Sequence, residues 1–204
     1  TGHLKATIRI KGATGHSGTP TSGRNAIEPL GRVLAALDAL RVQWGTVRNA
    51  ASDLLSVPHP VLAVVGIEGG HAWNVIPDAS SVRIGIRALP GQDPRALLGE
   101  VVAAVTPVLD GEAWTMDLFN DNPPLDTPVD SPGHAWLLER MGQAAPMGAA
   151  FCSDGGHLRR IGVEPVLFGP GSIAQAHKPD EFVPVCEVAA VAGHLGVMIG
   201  AFCG

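Results

Sequence analysis

The chain has 204 residues, 46% of them apolar, which is enough for one or two domains with a buried core. Its net charge of −5 argues against nucleic acid, which wants a basic face. Its three cysteines, Cys152, Cys186 and Cys203, are odd in number and lack CxxC spacing, so a disulfide framework is not expected and a reducing, cytoplasmic compartment is. The N-terminus, TGHLKATIRI, carries no apolar signal segment. It starts without methionine and almost directly in a strand, as though cut from something longer.

Leu4 to Ile10 alternates, with Leu4, Ala6, Ile8 and Ile10 on one face and Lys5, Thr7 and Arg9 on the other, which predicts a half-buried strand. A loop with His16 follows. A helix is expected from about Asn25 to Leu40, with Ile27, Leu30, Leu34 and Leu37 at helical spacing and Pro29 in the first turn, where a missing N–H costs little. The polar stretch to Pro60 reads as a loop with a short helix near Ala51. Val61 to Ile67 is a nearly all-apolar strand, and the alternating Ser81 to Ala88 is its natural antiparallel neighbour. Asp93-Pro94 is an N-cap followed by proline at the first helical position, opening a helix to about Val105. A strand at Trp114 to Phe119 completes a two-layer α+β domain over residues 1–119: an antiparallel sheet with helices on one face.

From residue 120 the character changes. Asn120 to Pro132 reads as a linker and His134 to Met141 as a short helix. Ala149 to Cys152 and Val163 to Phe168 are expected as short buried strands with a helix from Asp154 to Arg160 between them, a β-α-β piece of a parallel α/β sheet. The last twenty or so residues are apolar but carry Glu187, His194 and three glycines, which favours a helix buried on that sheet over a membrane span. Residues 120–204 therefore read as a partial α/β domain, small enough to leave sheet edges open for another chain.

Several segments carry candidate chemistry. His177 sits in GPGSIAQAHKPDEF, on a loop stiffened by Gly169, Pro170, Gly171 and Pro179, with Asp180 and Glu181 beside it. An imidazole so held is a reasonable metal ligand, or simply a surface histidine in a turn. KGATGHSGTP, GIEGGHAWNVIPDASSVRIGIRALPG and FCSDGGHL precede it in that order. Together the four stretches resemble the dinuclear zinc amidohydrolases that include acetylornithine deacetylases, succinyl-diaminopimelate desuccinylases and aminoacylases. The resemblance runs from about residue 4 to the C-terminus. It implies a small dimerisation (lid) domain followed by only the second half of a catalytic domain.

The resemblance also implies roles. His177 would be a metal ligand; two zinc ions, or cobalt, would be the cofactor. His16 would reach across a homodimer interface to polarise the substrate carbonyl; otherwise it is a loop histidine satisfied by Ser17 or Thr19. Asn74 would enter the same site, or else form an Asx-turn before Val75. Arg87 would meet the substrate carboxylate as a planar fork of donors, or be an outward strand charge like Arg83. Gly171 and Ser172 offer backbone donors for a carboxylate or oxyanion, or make a simple turn. Asp154 could meet a substrate amine or cap the next helix.

The implied reaction is removal of an N-acyl group, most simply acetyl, from a small-molecule amino acid such as N-acetylornithine. The family's remaining zinc ligands and its general-base glutamate have no counterpart here: there is no His-x-Asp followed by proline and no Glu-Glu pair. One histidine cannot hold zinc tightly, since a catalytic site needs about three protein ligands. The chain alone is therefore expected to be inactive, with a separate N-terminal chain as a partner or the chain itself an inactive dimerising fragment. No nucleic acid and no membrane are expected as partners. A different enzyme reading makes Thr1 an N-terminal nucleophile of a hydrolase or acyltransferase.

Overall fold

The computed structural model describes all 204 residues. Six strands and five helices follow one another as β1 (His3–Lys11), β2 (Gly15–His16), α1 (Ile27–Trp44), β3 (Val61–Gly69), β4 (Val75–Ile76), β5 (Ala79–Arg87), α2 (Pro94–Val105), β6 (Ala113–Asn122), α3 (Pro132–Met141), α4 (Gly155–Arg160) and α5 (Val185–Cys203). The chain divides into two compact units, Thr1–Pro165 and Val166–Gly204.

In the first unit, β3, β5, β1 and β6 form a four-stranded sheet in that order, antiparallel throughout. Period-2 alternation decides which face is dry. Leu4, Ala6, Ile8 and Ile10 of β1 and Val82, Ile84 and Ile86 of β5 are buried on one side. Lys5, Arg9 and Arg83 stay exposed on the other. α1 covers the dry face. Asn25 Oδ1 accepts the Ile27 N–H at its start, at 2.9 Å, and Leu30, Val33, Leu37, Leu40 and Trp44 line its buried stripe. That stripe runs one turn further than the sequence spacing suggests and leaves Ile27 outside it.

α2 begins as expected: Asp93 accepts the Arg95 N–H at 2.9 Å, with Pro94 first in the helix. It buries Leu97, Val101 and Val105 beside α1. The Trp44 indole N–H donates to Glu100 at 2.7 Å, joining the two helices across their seam. Each fully buried aliphatic or aromatic side chain here contributes about 1.5–3 kcal/mol relative to exposure. The antiparallel sheet, the helices on one face and the β3–β5 pairing all match the sequence expectation.

Several expectations fail. Asn120 to Asn122 belong to β6 rather than to a linker. The strands expected at 149–152 and 163–168 do not form; both segments are irregular, with Phe151, Val163 and Leu167 largely exposed. No parallel sheet exists, since both sheets are antiparallel. A strand is defined by the neighbour that takes its N–H and C=O groups, and these segments have no strand beside them. α4 does form between them, one residue shorter than expected.

α5 of the second unit is a regular helix with no buried residue, where burial on a sheet was expected. By length and composition it is long and apolar enough to cross a membrane. Within its own unit, the His194 ring meets Phe168 edge-to-face at 6.3 Å.

Candidate functional site

The candidate residues are split between the two units. In the first unit the chain doubles back after β1. Gly12 makes this possible: a side chain there would run into the Arg24 carbonyl oxygen. Ala13 and Arg24 exchange backbone hydrogen bonds at 2.9 and 2.8 Å. The loop then runs as β2 against β4, with Gly15 opposite Ile76 and His16 opposite Val75. Ser17 N–H donates to the Asn74 carbonyl at 3.1 Å, and the Ser17 hydroxyl to the Trp73 carbonyl at 3.3 Å.

This two-residue ribbon brings the backbone around His16 close to that around Asn74, and both residues are exposed. The His16 ring is held by the Gly18 N–H, which donates to Nδ1 at 3.1 Å. Neither the Ser17 nor the Thr19 hydroxyl bonds the ring, contrary to the simplest structural explanation of a loop histidine. The Asn74 side-chain amide makes no hydrogen bond within the chain, so the Asx-turn is not formed and its donors face solvent. Trp73 beside it is fully exposed.

Arg87 ends β5, opposite Val61, and is half-buried. The register that pairs Leu4 with Ile86 sets His3 beside it on the open face, together with Lys5. Burial, then the Arg87 and Lys5 charges, push the His3 pKa down to about 4. The neutral imidazole is favoured first because partial burial strips water from the charged ring, and then because a third cation in that corner would be repelled. Arg83, by contrast, reaches Glu68 at 3.4 Å, so the two arginines of β5 differ in partner. Asp154 stands at the start of α4 without a side-chain cap bond. The Thr1 hydroxyl donates to the Ala150 carbonyl at 2.7 Å.

A surface groove of about 890 Å³ lies on the open face of the sheet, lined by Arg9, Lys11, Glu68, Ser81, Trp114 and Thr115 among others. None of the candidate residues lines it. It follows the sheet's end, while the chemistry-bearing side chains are at the ribbon tip and at Arg87.

In the second unit His177 adopts φ +62, the left-handed region that non-glycine residues rarely enter. Its backbone N–H donates to Glu181 Oε2 at 3.0 Å. The nearby carboxylate thus fixes the backbone turn and not the ring. Gly171, at φ +87, donates its N–H to Glu187 Oε2 at 2.8 Å. That donor does take a carboxylate, but one from the chain's own α5. Ser172 caps a short 3-10 turn by accepting the Ala174 N–H at 3.3 Å.

No three His, Cys, Asp or Glu side chains of the chain come together to hold a metal ion. His177 alone does not make a metal centre, so the residues present do not fit a bound zinc pair by themselves.

Residues 1–112 match the family model for a peptidase dimerisation domain of the M20 type. The chain belongs to the M20 family. Acetylornithine deacetylase of Proteus mirabilis is 33% identical over 205 residues, covering 99% of this chain and 52% of that protein. Acetylornithine deacetylase of Klebsiella pneumoniae is 32% identical, covering 89% and 47%. The chain thus spans about half the length of the curated relatives it matches.

Among solved structures, an M20 family metallo-carboxypeptidase from Sulfolobus solfataricus superposes with a TM-score of 0.69 at 15% identity, covering 92% of this chain and 55% of that one. Aminopeptidase PepT from Bacillus cereus gives 0.67 at 19%, covering 94% and 49%. These show a shared fold.

Proposed function

We propose that this M20 chain supplies the dimerisation domain and C-terminal part of a zinc-dependent deacylase acting on an N-acyl amino acid, most simply N-acetylornithine. The observation that carries this reading is the β2–β4 ribbon. It brings two exposed residues with donor groups onto one short ribbon, His16 opposite Val75 and the Asn74 carbonyl accepting the Ser17 N–H. Exposed imidazole and amide donors suit a carbonyl oxygen that becomes an oxyanion as the amide is attacked. Arg87, beside the His3 and Lys5 corner, suits the substrate carboxylate.

Two zinc ions, or cobalt, when bound in the complete enzyme would polarise the scissile carbonyl and activate water. Apart from His177, their ligands would come from a metal-binding part outside this chain. What the chain itself does in this reading is bind and orient substrate. Alone, it should be inactive.

The same reading makes the protein a homodimer. β3 is an edge strand whose Val64, Val65 and Ile67 are exposed. An apolar edge of this kind invites pairing with a second copy. Such pairing would deliver His16 and Asn74 into the partner's site. α5 is read as a helix whose cover lies in the metal-binding part, since Glu187 and three glycines weaken a membrane assignment.

The test is release of free ornithine from N-acetylornithine by zinc-loaded protein that carries both this chain and the metal-binding part. His16→Ala should lower kcat by about 10²–10³, the usual cost of one oxyanion donor, with KM little changed. Turnover indifferent to that substitution sinks the reading. Intact-mass spectrometry of the purified material shows beforehand whether the metal-binding part is present.

A further inference from the structure

We propose that Gly18 is a positioning residue whose N–H, donated to His16 Nδ1, locks the imidazole in the Nε2–H tautomer and so makes its outward nitrogen a hydrogen-bond donor. The inference rests on the functional reading above and deepens it. It states which chemistry His16 can offer, and therefore what it can meet: an acceptor oxygen, carbonyl or oxyanion.

The geometry is local and closed. The Gly18 N–H donates to Nδ1 at 3.1 Å, so in the neutral ring Nδ1 carries the lone pair and the proton sits on Nε2. A proton on Nδ1 would face the amide proton directly. Catalytic and metal-bound histidines usually show the opposite arrangement, in which Nδ1–H is given to a carboxylate or carbonyl and Nε2 is left as base or ligand. Here no carboxylate or carbonyl takes the ring. The Ser17 hydroxyl is turned to the Trp73 carbonyl.

The backbone around the ring is clamped on every side. His16 N–H donates to Ser22 Oγ at 3.0 Å, and the His16 carbonyl accepts from Thr19 N–H at 2.8 Å. The neighbouring Ser17 N–H is held by Asn74. These bonds fix the backbone from which the ring projects, and the Gly18 N–H holds the ring itself.

Glycine at position 18 leaves the ring room to approach. A Cβ built there would lie 3.1 Å from His16 Nδ1 and 3.2 Å from Cε1, so the ring would have to give by a few tenths of an ångström. The spacing Gly15-His16-Ser17-Gly18 thus contains both the donor residue and the residue that sets its tautomer. A neutral histidine with Nε2–H outward can polarise a carbonyl but cannot take a proton through that nitrogen. General-base work in the reaction must fall to another group.

The experiment uses this chain, labelled with ¹⁵N and held above the ordinary imidazole titration range. Long-range ¹H–¹⁵N correlation of the His16 ring should show a pyridine-like Nδ1 and a pyrrole-like Nε2. A scalar coupling across the hydrogen bond should join Nδ1 to the Gly18 amide nitrogen. A protonated Nδ1, or a mixed tautomer, in the unmodified chain overturns the proposal.

Gly18→Pro removes the donor. It should shift the tautomer ratio about fivefold toward Nδ1–H, the equilibrium weight of one hydrogen bond, with the amide spectra of β1, β5 and β6 unchanged. A folded Gly18→Pro chain that keeps pure Nε2–H also overturns it. Should that variant fail to fold, the coupling in the unmodified chain decides alone. The readout is independent of catalysis: an intact coupling here, with no hydrolysis of N-acyl amino acids by zinc-loaded protein that also carries the metal-binding part, refutes the functional reading and leaves the tautomer lock standing.

Discussion

α1 and α5 are the two longest helices of the chain, at 18 and 19 residues. α5 is the more apolar, with Glu187 its only charged side chain. Yet α1 buries Leu30, Val33, Leu37, Leu40 and Trp44, and α5 buries nothing. α1 lies over a sheet made within its own unit, where alternating strands offer a continuous dry face. α5 belongs to a unit of 166–204 that contains no strand at all. Apolar content creates the demand for cover; only a neighbouring surface satisfies it.

The contrast can be pressed hardest at Trp44. Trp44→Ala should destabilise the first unit by about 3–5 kcal/mol, measured by denaturant unfolding, because it leaves a cavity between α1 and the sheet. It also removes the indole N–H bond to Glu100, whose exposed carboxylate returns to water. A loss below about 1 kcal/mol would mean that the α1–sheet seam is loosely packed and the contrast with α5 overstated.

The edge strand gives the next effect. Val65→Lys places a charge on the exposed edge of β3 and should abolish self-association in analytical ultracentrifugation. It should leave monomer stability within about 0.5 kcal/mol. A variant that still dimerises would move the interface away from β3.

A smaller effect concerns pH. The native chain holds His3 neutral down to about pH 4, while the unfolded chain binds its proton near the ordinary histidine value of 6.5. Unfolding free energy should therefore fall as pH drops from about 6.5 to about 4 and level off below. Because the ring is only partly screened from water, the change is on the order of 1 kcal/mol. His3→Gln should flatten that slope in acid titration followed by circular dichroism. A slope unchanged in the variant would assign it elsewhere.

Smallest of all, Ile199→Ala in α5 should change stability by less than about 0.5 kcal/mol, since Ile199 is exposed and leaves no cavity. A loss of several kcal/mol would show that α5 is covered in solution, and the contrast with α1 would collapse.

Much of the first unit is legible in the amino-acid sequence. Leu4, Ala6, Ile8 and Ile10 show the period of a one-sided strand, and Asp93-Pro94 marks a helix start; both are local signals, written within a few residues. Val61 to Ile67 is legible as a strand but not as an edge, because edge or centre depends on which strands lie beside it. The segments at 149–152 and 163–168 mislead in the other direction. Their composition suits a buried strand, and the pairing that would make them one is absent.

The candidate site divides in the same way. That His16, Asn74, Arg87 and His177 are the residues to watch is legible from the motif order, through its likeness to a family. That His16 and Asn74 are neighbours is not. Ser17 lies 56 positions before Trp73, whose carbonyl its hydroxyl binds, and no local signal announces a pairing over that distance.

By itself the sequence determined the alternation of the strands, the helix starts and the identity of the candidate groups, because these depend on covalent spacing. Only the tertiary structure decided that β2 and β4 pair, that Gly18 holds the His16 ring and that α5 stays uncovered, because each depends on which surfaces and hydrogen-bonding groups meet once the chain has closed.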